Sequence, residues 1–267
     1  MLIDFHTHIY PEKLASRTVE TLGGKAHIPH FTDGTLGSLT ALMDREGVDR
    51  FVLLHIATSP KNEGNVNAFA RQTNSARHPS FGSVHPDSAR WKEELLALKE
   101  AGVKGVKFHN EYQNFFADDE KAFPVYAECG RLGLAMLFHG GADLAFSPPE
   151  KCSPARMARA AKAFPSAKFI FAHLGGMRSA KDSIEFLAPL ANVFTDTAFS
   201  SQYVPLSAGR EVIEAFGAER VLFGTDCPWD TPARTLAYLK AMRLPPLWEE
   251  KIFYGNALQI LEDELSS

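Results

Sequence analysis

Ile3-Asp4-Phe5-His6-Thr7-His8 is an apolar run that ends in two histidines, and the same design recurs along the chain. Phe51–Leu54 runs into His55, Phe81–Val84 into His85, and Val103–Phe108 into His109. Ala135–Phe138 reaches His139 and Phe169–Ala172 reaches His173, while Val193–Thr195 and Val221–Thr225 meet Asp196 and Asp226. Short apolar runs separated by helix-like stretches read as buried parallel strands. Of the ten histidines, only His27, His30 and His78 lie away from a strand end. Titratable residues at the carboxyl ends of parallel strands converge on one face of the sheet, and a packed core has no use for such a ring. The pattern therefore predicts an active site.

The segments between the strands carry helical signals. Thr35–Gly47 places Leu36, Leu39 and Met43 at helical spacing and stops at a glycine. Asn65–Arg77, Asp87–Ala101, Glu120–Leu132, Pro154–Phe164, Ser179–Leu190, Leu206–Phe216 and Thr231–Met242 follow the later strands, with Asp87 as an expected cap. A further helix is expected over Pro11–Leu22, and Trp248–Leu265 reads as helix packed outside, capped internally by Asn256. Eight β-α repeats with right-handed crossovers predict a (β/α)8 TIM barrel forming one domain over residues 1–267. An open doubly wound sheet is the alternative, but the chain has no Gly-x-Gly-x-x-Gly phosphate turn. Two connections, Ile9–Gly34 and Gly140–Ser153, are longer than a barrel requires, and both leave the expected catalytic end as candidate lids or binding loops.

Composition narrows the function classes. The net charge of −4 provides no basic field for nucleic acid, and no Lys/Arg block suggests an anionic membrane. No apolar run approaches the roughly 20 residues that span a bilayer. Three cysteines, Cys129, Cys152 and Cys227, are odd in number and far apart, so neither a disulfide framework nor a cysteine zinc site is indicated. With no signal-peptide pattern before the first strand, the expected setting is cytoplasmic. The expected partner is a small-molecule substrate, and a homodimer is the expected assembly.

In a regular strand Asp4, His6 and His8 point to one side, leaving Ile3 and Phe5 for the surrounding helices. Two imidazoles on one strand end are a ready pair of metal ligands. A catalytic zinc takes three or four protein ligands and keeps a position for water, and His139 and Asp226 complete such a set. His173 is the natural neighbour for a second metal or for substrate. Asp4 either orients an imidazole or contacts the metal. Lys107 and His109 are two apart and both face inward. His55, His85 and Asp196 read as supports of the ring. Arg178 is a candidate for an anionic substrate group, and Tyr112 and Trp229, with Phe115, Phe116, Phe146, Phe199 and Tyr203, are candidate pocket walls.

The motifs Asp4-Phe5-His6-Thr7-His8, Phe138-His139-Gly140-Gly141, Ala172-His173-Leu174-Gly175-Gly176, Phe223-Gly224-Thr225-Asp226-Cys227-Pro228 and Tyr254-Gly255-Asn256-Ala257 occur in that order. Together they resemble the amidohydrolase superfamily, and within it the branch of aminocarboxymuconate-semialdehyde decarboxylase-like enzymes, over essentially the whole chain. The resemblance implies a distorted TIM barrel with one divalent metal, usually zinc, with manganese or a second metal as variants. His6, His8, His139 and Asp226 would hold it, with His173 beside it as a catalytic or second-site residue. It also implies that Lys107 stands where binuclear members carry a carbamylated bridging lysine, whereas a lysine binding a substrate carboxylate is the plainer reading.

Two reactions suit this set. The first is hydrolysis of a small amide, ester or lactone, preferably carboxylate-bearing, by metal-activated water with Asp226 as general base. There His173 polarises the carbonyl and Lys107 or Arg178 holds the anion. The second is non-oxidative decarboxylation of an aromatic or dienoic acid, with His173 or Asp226 supplying the proton. A metal-binding barrel without turnover is a third reading. The short chain, with little room for insertions, favours hydrolysis.

Overall fold

The computed structural model describes residues 1–262. Its strands are β1 Ile3–Thr7, β2 Arg50–Leu54, β3 Ser80–Phe81, β4 Gly105–Phe108, β5 Ala135–Phe138, β6 Phe169–Phe171, β7 Val193–Asp196 and β8 Val221–Leu222. Every pairing is parallel, in the orders β1-β2-β3 and β4-β5-β6-β7-β8. Single bridges, Gly82 with Val106 and Thr7 with Cys227, join the two sheets at both seams. The chain is a distorted (β/α)8 barrel: β3 and β8 are short, and the ladder at each seam shrinks to one bridge. Gly105 makes the first seam possible, because a Cβ there would stand 2.3 Å from the Phe81 ring and 2.5 Å from the Ala135 carbonyl oxygen.

Helices Leu36–Arg45, Glu63–Thr73, Trp91–Glu100, Phe123–Leu132, Pro154–Ala163, Ala180–Phe186 and Leu206–Phe216 fill the connections between strands. Thr35 caps the first of these by accepting a hydrogen bond from the Ser38 amide, and Pro154 and Pro232 open their helices where a missing N–H costs nothing. Four expectations need correction. Asp87 is no cap, because the Asp87 and Ser88 amides both turn back onto His85 and the helix starts only at Trp91. The helix in the first long connection runs Glu12–Ala26, beyond Leu22, until His27 turns left-handed. Asn256 sits inside a continuous helical path over Pro246–Leu261, and its amide group instead donates to the Ala218 and Val221 carbonyls. Residues 263–265 of that expected helix lie outside the described residues.

The fourth correction concerns β1. Asp4 pairs with Phe51 but Thr7 pairs with Leu53, so three residue steps on β1 match two on β2. This bulge breaks the two-residue alternation. Ile3 and Phe5 share a cluster with Val52, Leu54, Leu137 and Ile170, which the C-terminal helix joins through Ala257, Ile260 and Leu261. Leu137 stands level with Lys107 on one side and Ile170 on the other, and Lys107 lines the central pocket, so that cluster is the barrel interior. The bulge then swings His6 to the pocket mouth.

Candidate active site

His6 and His8 are each held by one ring nitrogen. His6 Nδ1 donates to Asp196 Oδ2 at 2.7 Å, and His8 Nδ1 donates to the Leu54 carbonyl at 2.9 Å. A neutral imidazole that donates from Nδ1 presents a bare lone pair at Nε2. Both lone pairs meet Asp226 Oδ1, at 3.3 Å from His6 and 3.1 Å from His8. Three electron-rich atoms converge in a buried place beside the Lys107 ammonium, an arrangement suited to a shared cation. The donor set and its anchored tautomers fit a divalent metal. Burial works against ionisation of Asp226, but positive charge at the facing His6 and His8 nitrogens outweighs it and holds the carboxyl well below the usual range.

Asp196 organises the cluster. Besides His6 Nδ1 it accepts the backbone N–H of His173 at 3.0 Å and of Ala198 at 3.1 Å. His173 and Asp226 both adopt left-handed backbone conformations, with φ of 66° and 68°. Such positions cost roughly 1–3 kcal/mol each and persist where the surroundings impose them. Here the imposing contacts are Asp196 on the His173 amide, Thr195 Oγ1 on the Gly175 amide at 2.7 Å, and the His6 carbonyl on the Asp226 amide at 2.8 Å. His173 Nδ1 donates to the Ala198 carbonyl at 2.8 Å, so its Nε2 faces the pocket.

Lys107 is fully buried, and its Nζ donates to His6 Nε2 at 3.4 Å. Burial lowers its pKa to about 8, with Asp226 and Asp196 opposing the shift. His139 is placed differently from the expected ligand set. Its ring stacks on His109 at 4.3 Å and 11°, its Nδ1 meets His173 Nε2 at 3.1 Å, and its Nε2 turns toward Asp143 rather than Asp226. Asp143, which the sequence reading missed, lies 3.2 Å from His109 Nε2. The signal was available: it is the carboxylate four residues beyond His139, in one of the two long connections.

Asp4 touches no imidazole nitrogen. Its carboxylate accepts from Thr225 Oγ1 at 2.6 Å and from the Thr225 and His6 amides, tying β1 to the segment after β8. His55 and His85 stand outside the pocket as supports, on Thr73 Oγ1 and on the Gln113 carbonyl. Arg178 lines a neighbouring recess with Glu111, Asp143 and Glu150. Tyr112, Phe199 and Trp229 wall the main pocket with Tyr10, Ile28 and Met177. Both long connections contribute: Leu22 and Ala26 come from the first, Leu144 and Ala145 from the second. Lys25 Nζ lies 4.0 Å above the Phe146 ring and joins the two.

The chain is similar in structure to an uncharacterised TIM-barrel protein from Bordetella bronchiseptica, at TM-score 0.76, 20% identity and 98% coverage of both chains. It is similar to 5-carboxyvanillate decarboxylase from Sphingomonas paucimobilis, at TM-score 0.72, 16% identity and 98% coverage of both. A third similar structure is a dihydroxybenzoic acid decarboxylase from Polaromonas sp. with bound manganese and 2-nitroresorcinol, at TM-score 0.71 and 14% identity, covering 99% of this chain and 98% of that one. At these identities the likeness establishes the fold. No curated protein matches the chain by sequence. Among the described residues no helix is long and apolar enough to cross a membrane. The sequence profile of the amidohydrolase family spans residues 3–262, essentially all of the chain. Motif order, barrel and metal-type cluster thus lead to one conclusion: this chain belongs to the amidohydrolase family, as an enzyme of that superfamily.

Proposed function

We propose that the chain is a metal-dependent, non-oxidative decarboxylase of a planar aromatic or dienoic acid. The observation that carries this reading is the distribution of charge in the pocket. Among the described lining residues Lys107 is the one lysine or arginine, and it sits against His6, while the outer walls are apolar and aromatic. Such a pocket accepts a planar ring with its carboxylate directed at the metal cluster. Decarboxylation turns a charged group into neutral carbon dioxide, which an apolar enclosure favours. The decarboxylases among the similar structures act on acids of this kind by name and support the same choice.

When bound, a divalent cation on His6, His8 and Asp226 supplies a Lewis-acidic anchor for anionic substrate oxygens. The similar structures that hold manganese favour that ion alongside zinc. The chain's own residues do the rest. Lys107 holds the carboxylate charge, and Tyr112, Phe199 and Trp229 orient the ring. His173, protonated at Nε2, delivers its proton to the carbon that bears the carboxylate. The carbon–carbon bond breaks, its electron pair remains with that carbon as the new C–H bond, carbon dioxide leaves and His173 returns to neutral. Asp226 is the poorer acid because His6 and His8 hold it ionised.

Hydrolysis, the reaction favoured by chain length alone, is the second reading. The same ionised Asp226 can serve as a general base, and a provisionally assigned 2-pyrone-4,6-dicarboxylic acid hydrolase also occurs among the similar structures. Metal-loaded protein offered a panel of hydroxybenzoic and dienoic acids, esters, amides and lactones separates the two. We expect carbon dioxide release from an acid without cleavage of the others. Cleavage of an ester, amide or lactone with no carbon dioxide from any acid refutes the proposal.

A further inference from the structure

Phe199 and Trp229 wall the central pocket from two different loops, one after β7 and one after β8. Neither residue belongs to a strand, so the barrel ladder does not fix them. They share a small apolar cluster with Val19 and Met177, and Tyr203 packs on the Phe199 ring at 5.0 Å and 33°. Phe199 has a φ of 56°, a left-handed conformation that a residue with a Cβ keeps only where its surroundings impose it. The helical turn that follows, Ser200–Tyr203, is four residues long and too short to hold itself. Contacts from outside this segment therefore keep Phe199 aimed at the pocket.

Those contacts come from the loop after β8. Thr197 Oγ1 donates to the Gly224 carbonyl at 2.9 Å, and the Phe199 amide donates to the Thr225 carbonyl at 3.1 Å. Further along, Gln202 Nε2 donates to the Trp229 carbonyl at 3.0 Å, and Ser201 Oγ donates to Asp230 Oδ2. Asp230 is fully buried and does not line the pocket. Its other oxygen accepts the Thr231 amide at 2.9 Å and lies 3.1 Å from Arg234 Nε. Burial raises the Asp230 pKa, and the hydrogen bond from Ser201 is the largest influence opposing it. Helix capping does not account for this buried carboxylate, because Thr231 Oγ1 already accepts the Arg234 amide as the cap of helix Pro232–Ala241.

We propose that Asp230, acting through Ser201, is a positioning residue for the aromatic wall: it clasps the loop of Phe199 to the loop of Trp229 and so sets how the two rings face the pocket. A buried carboxylate suits this task, because a hydrogen bond to a charged acceptor is stronger than one between neutral groups. Trp229 is anchored independently. Its amide donates to the Asp226 carbonyl at 2.8 Å, and its ring edge lies against Gly23, where a Cβ would stand 3.3 Å from Trp229 Cζ3. The clasp therefore governs the Phe199 side, drawing it onto a fixed Trp229. That the wall orients a planar acid rests on the function proposed above, whereas the clasp itself does not.

Fluorine NMR of full-length protein grown with 5-fluorotryptophan and loaded with diamagnetic zinc tests the clasp. The chain has three tryptophans, Trp91, Trp229 and Trp248, and Trp229→Phe assigns the signal from the pocket wall. The Trp229 fluorine senses the ring of Phe199 in the same cluster. Ser201→Ala removes the tie between the loops and leaves the Thr231 and Arg234 contacts of Asp230 in place. We expect it to move or broaden the Trp229 resonance while those of Trp91 and Trp248 stay where they are. Ser201→Thr keeps the hydroxyl and should give the wild-type spectrum. An unmoved Trp229 resonance in Ser201→Ala overturns the proposal, and so does displacement of all three, which would mean a general loosening of the fold. An equal displacement in Ser201→Thr overturns it too, since the hydrogen bond would not be the cause. No substrate enters the measurement, so a failed clasp and a failed carbon dioxide panel are told apart.

Discussion

Asp196 is fully buried and does not line the pocket, yet it fixes the geometry of the His6, His8 and Asp226 cluster through His6. One oxygen fixes His6 as the Nδ1–H tautomer, and the other gathers the His173 and Ala198 amides. Asp196→Asn keeps the size and the amide contacts but presents an NH2 group to His6 Nδ1. His6 must then accept there and carry its proton on Nε2, where the metal lone pair should be. We expect manganese affinity at the cluster of His6, His8 and Asp226 to fall by about 10–100-fold, with little change in melting temperature. Isothermal titration of stripped protein reads the affinity, and unaltered binding would remove Asp196 from the role of positioning residue. Asp226 and His173 show the same division at residue scale: both side chains are aimed by a left-handed backbone that neighbouring polar groups enforce.

At the scale of elements, β1 carries the site through an irregularity. Its bulge places Ile3 and Phe5 in the barrel interior, brings His6 to the mouth, and leaves Asp4 to clasp Thr225 across the seam with β8. Burial raises the Asp4 pKa to about 7, and hydrogen bonds from Thr225 and His6 pull it back. Thr225→Val removes the hydroxyl donor while preserving shape, leaving a buried carboxyl short of a partner. Such a loss costs about 1–3 kcal/mol, so urea unfolding should show that decrease in stability, and an unchanged midpoint would deny the clasp a role in closing the barrel. This is also where the legibility of the sequence ends. The strands were readable because Phe51–Leu54 or Ala135–Phe138 are apolar without interruption, and residues at their ends must meet in a barrel. The faces of β1 were not, since a bulge depends on the partner strand and not on the alternation of Ile3, Asp4 and Phe5. His6, His8 and Asp226 came together as their positions at strand ends implied. The grouping of His139 with His109 and Asp143 depends on how a loop returns over the pocket, and no spacing rule encodes that.

Over the whole molecule, the polar ring concentrates buried histidines that fold in the neutral state, and this makes the protein sensitive to acid. His55 shows it without being in the pocket: it is 4% exposed, stacks edge-on against Phe69, and meets Thr73 Oγ1 at 3.4 Å. Burial lowers its pKa to about 3, with the charge of His8 acting in the same direction. The folded value lies below that of an unfolded histidine, about 6.5. Between those two values the unfolded chain binds more protons than the folded one. The stability contributed by a neutral His55 is therefore complete above pH 6.5 and is lost as pH falls toward 3. One proton gives a slope of about 1.4 kcal/mol per pH unit, so roughly 2–3 kcal/mol is lost between pH 6.5 and 4.5. Other buried histidines add to the total, so the informative quantity is the difference between wild type and His55→Gln. Urea unfolding of both, in chelator at pH 7 and pH 5, should show the wild type losing more stability on acidification. Equal losses would mean that His55 is charged or solvated in the folded chain and that the support beneath His8 is looser than its burial implies.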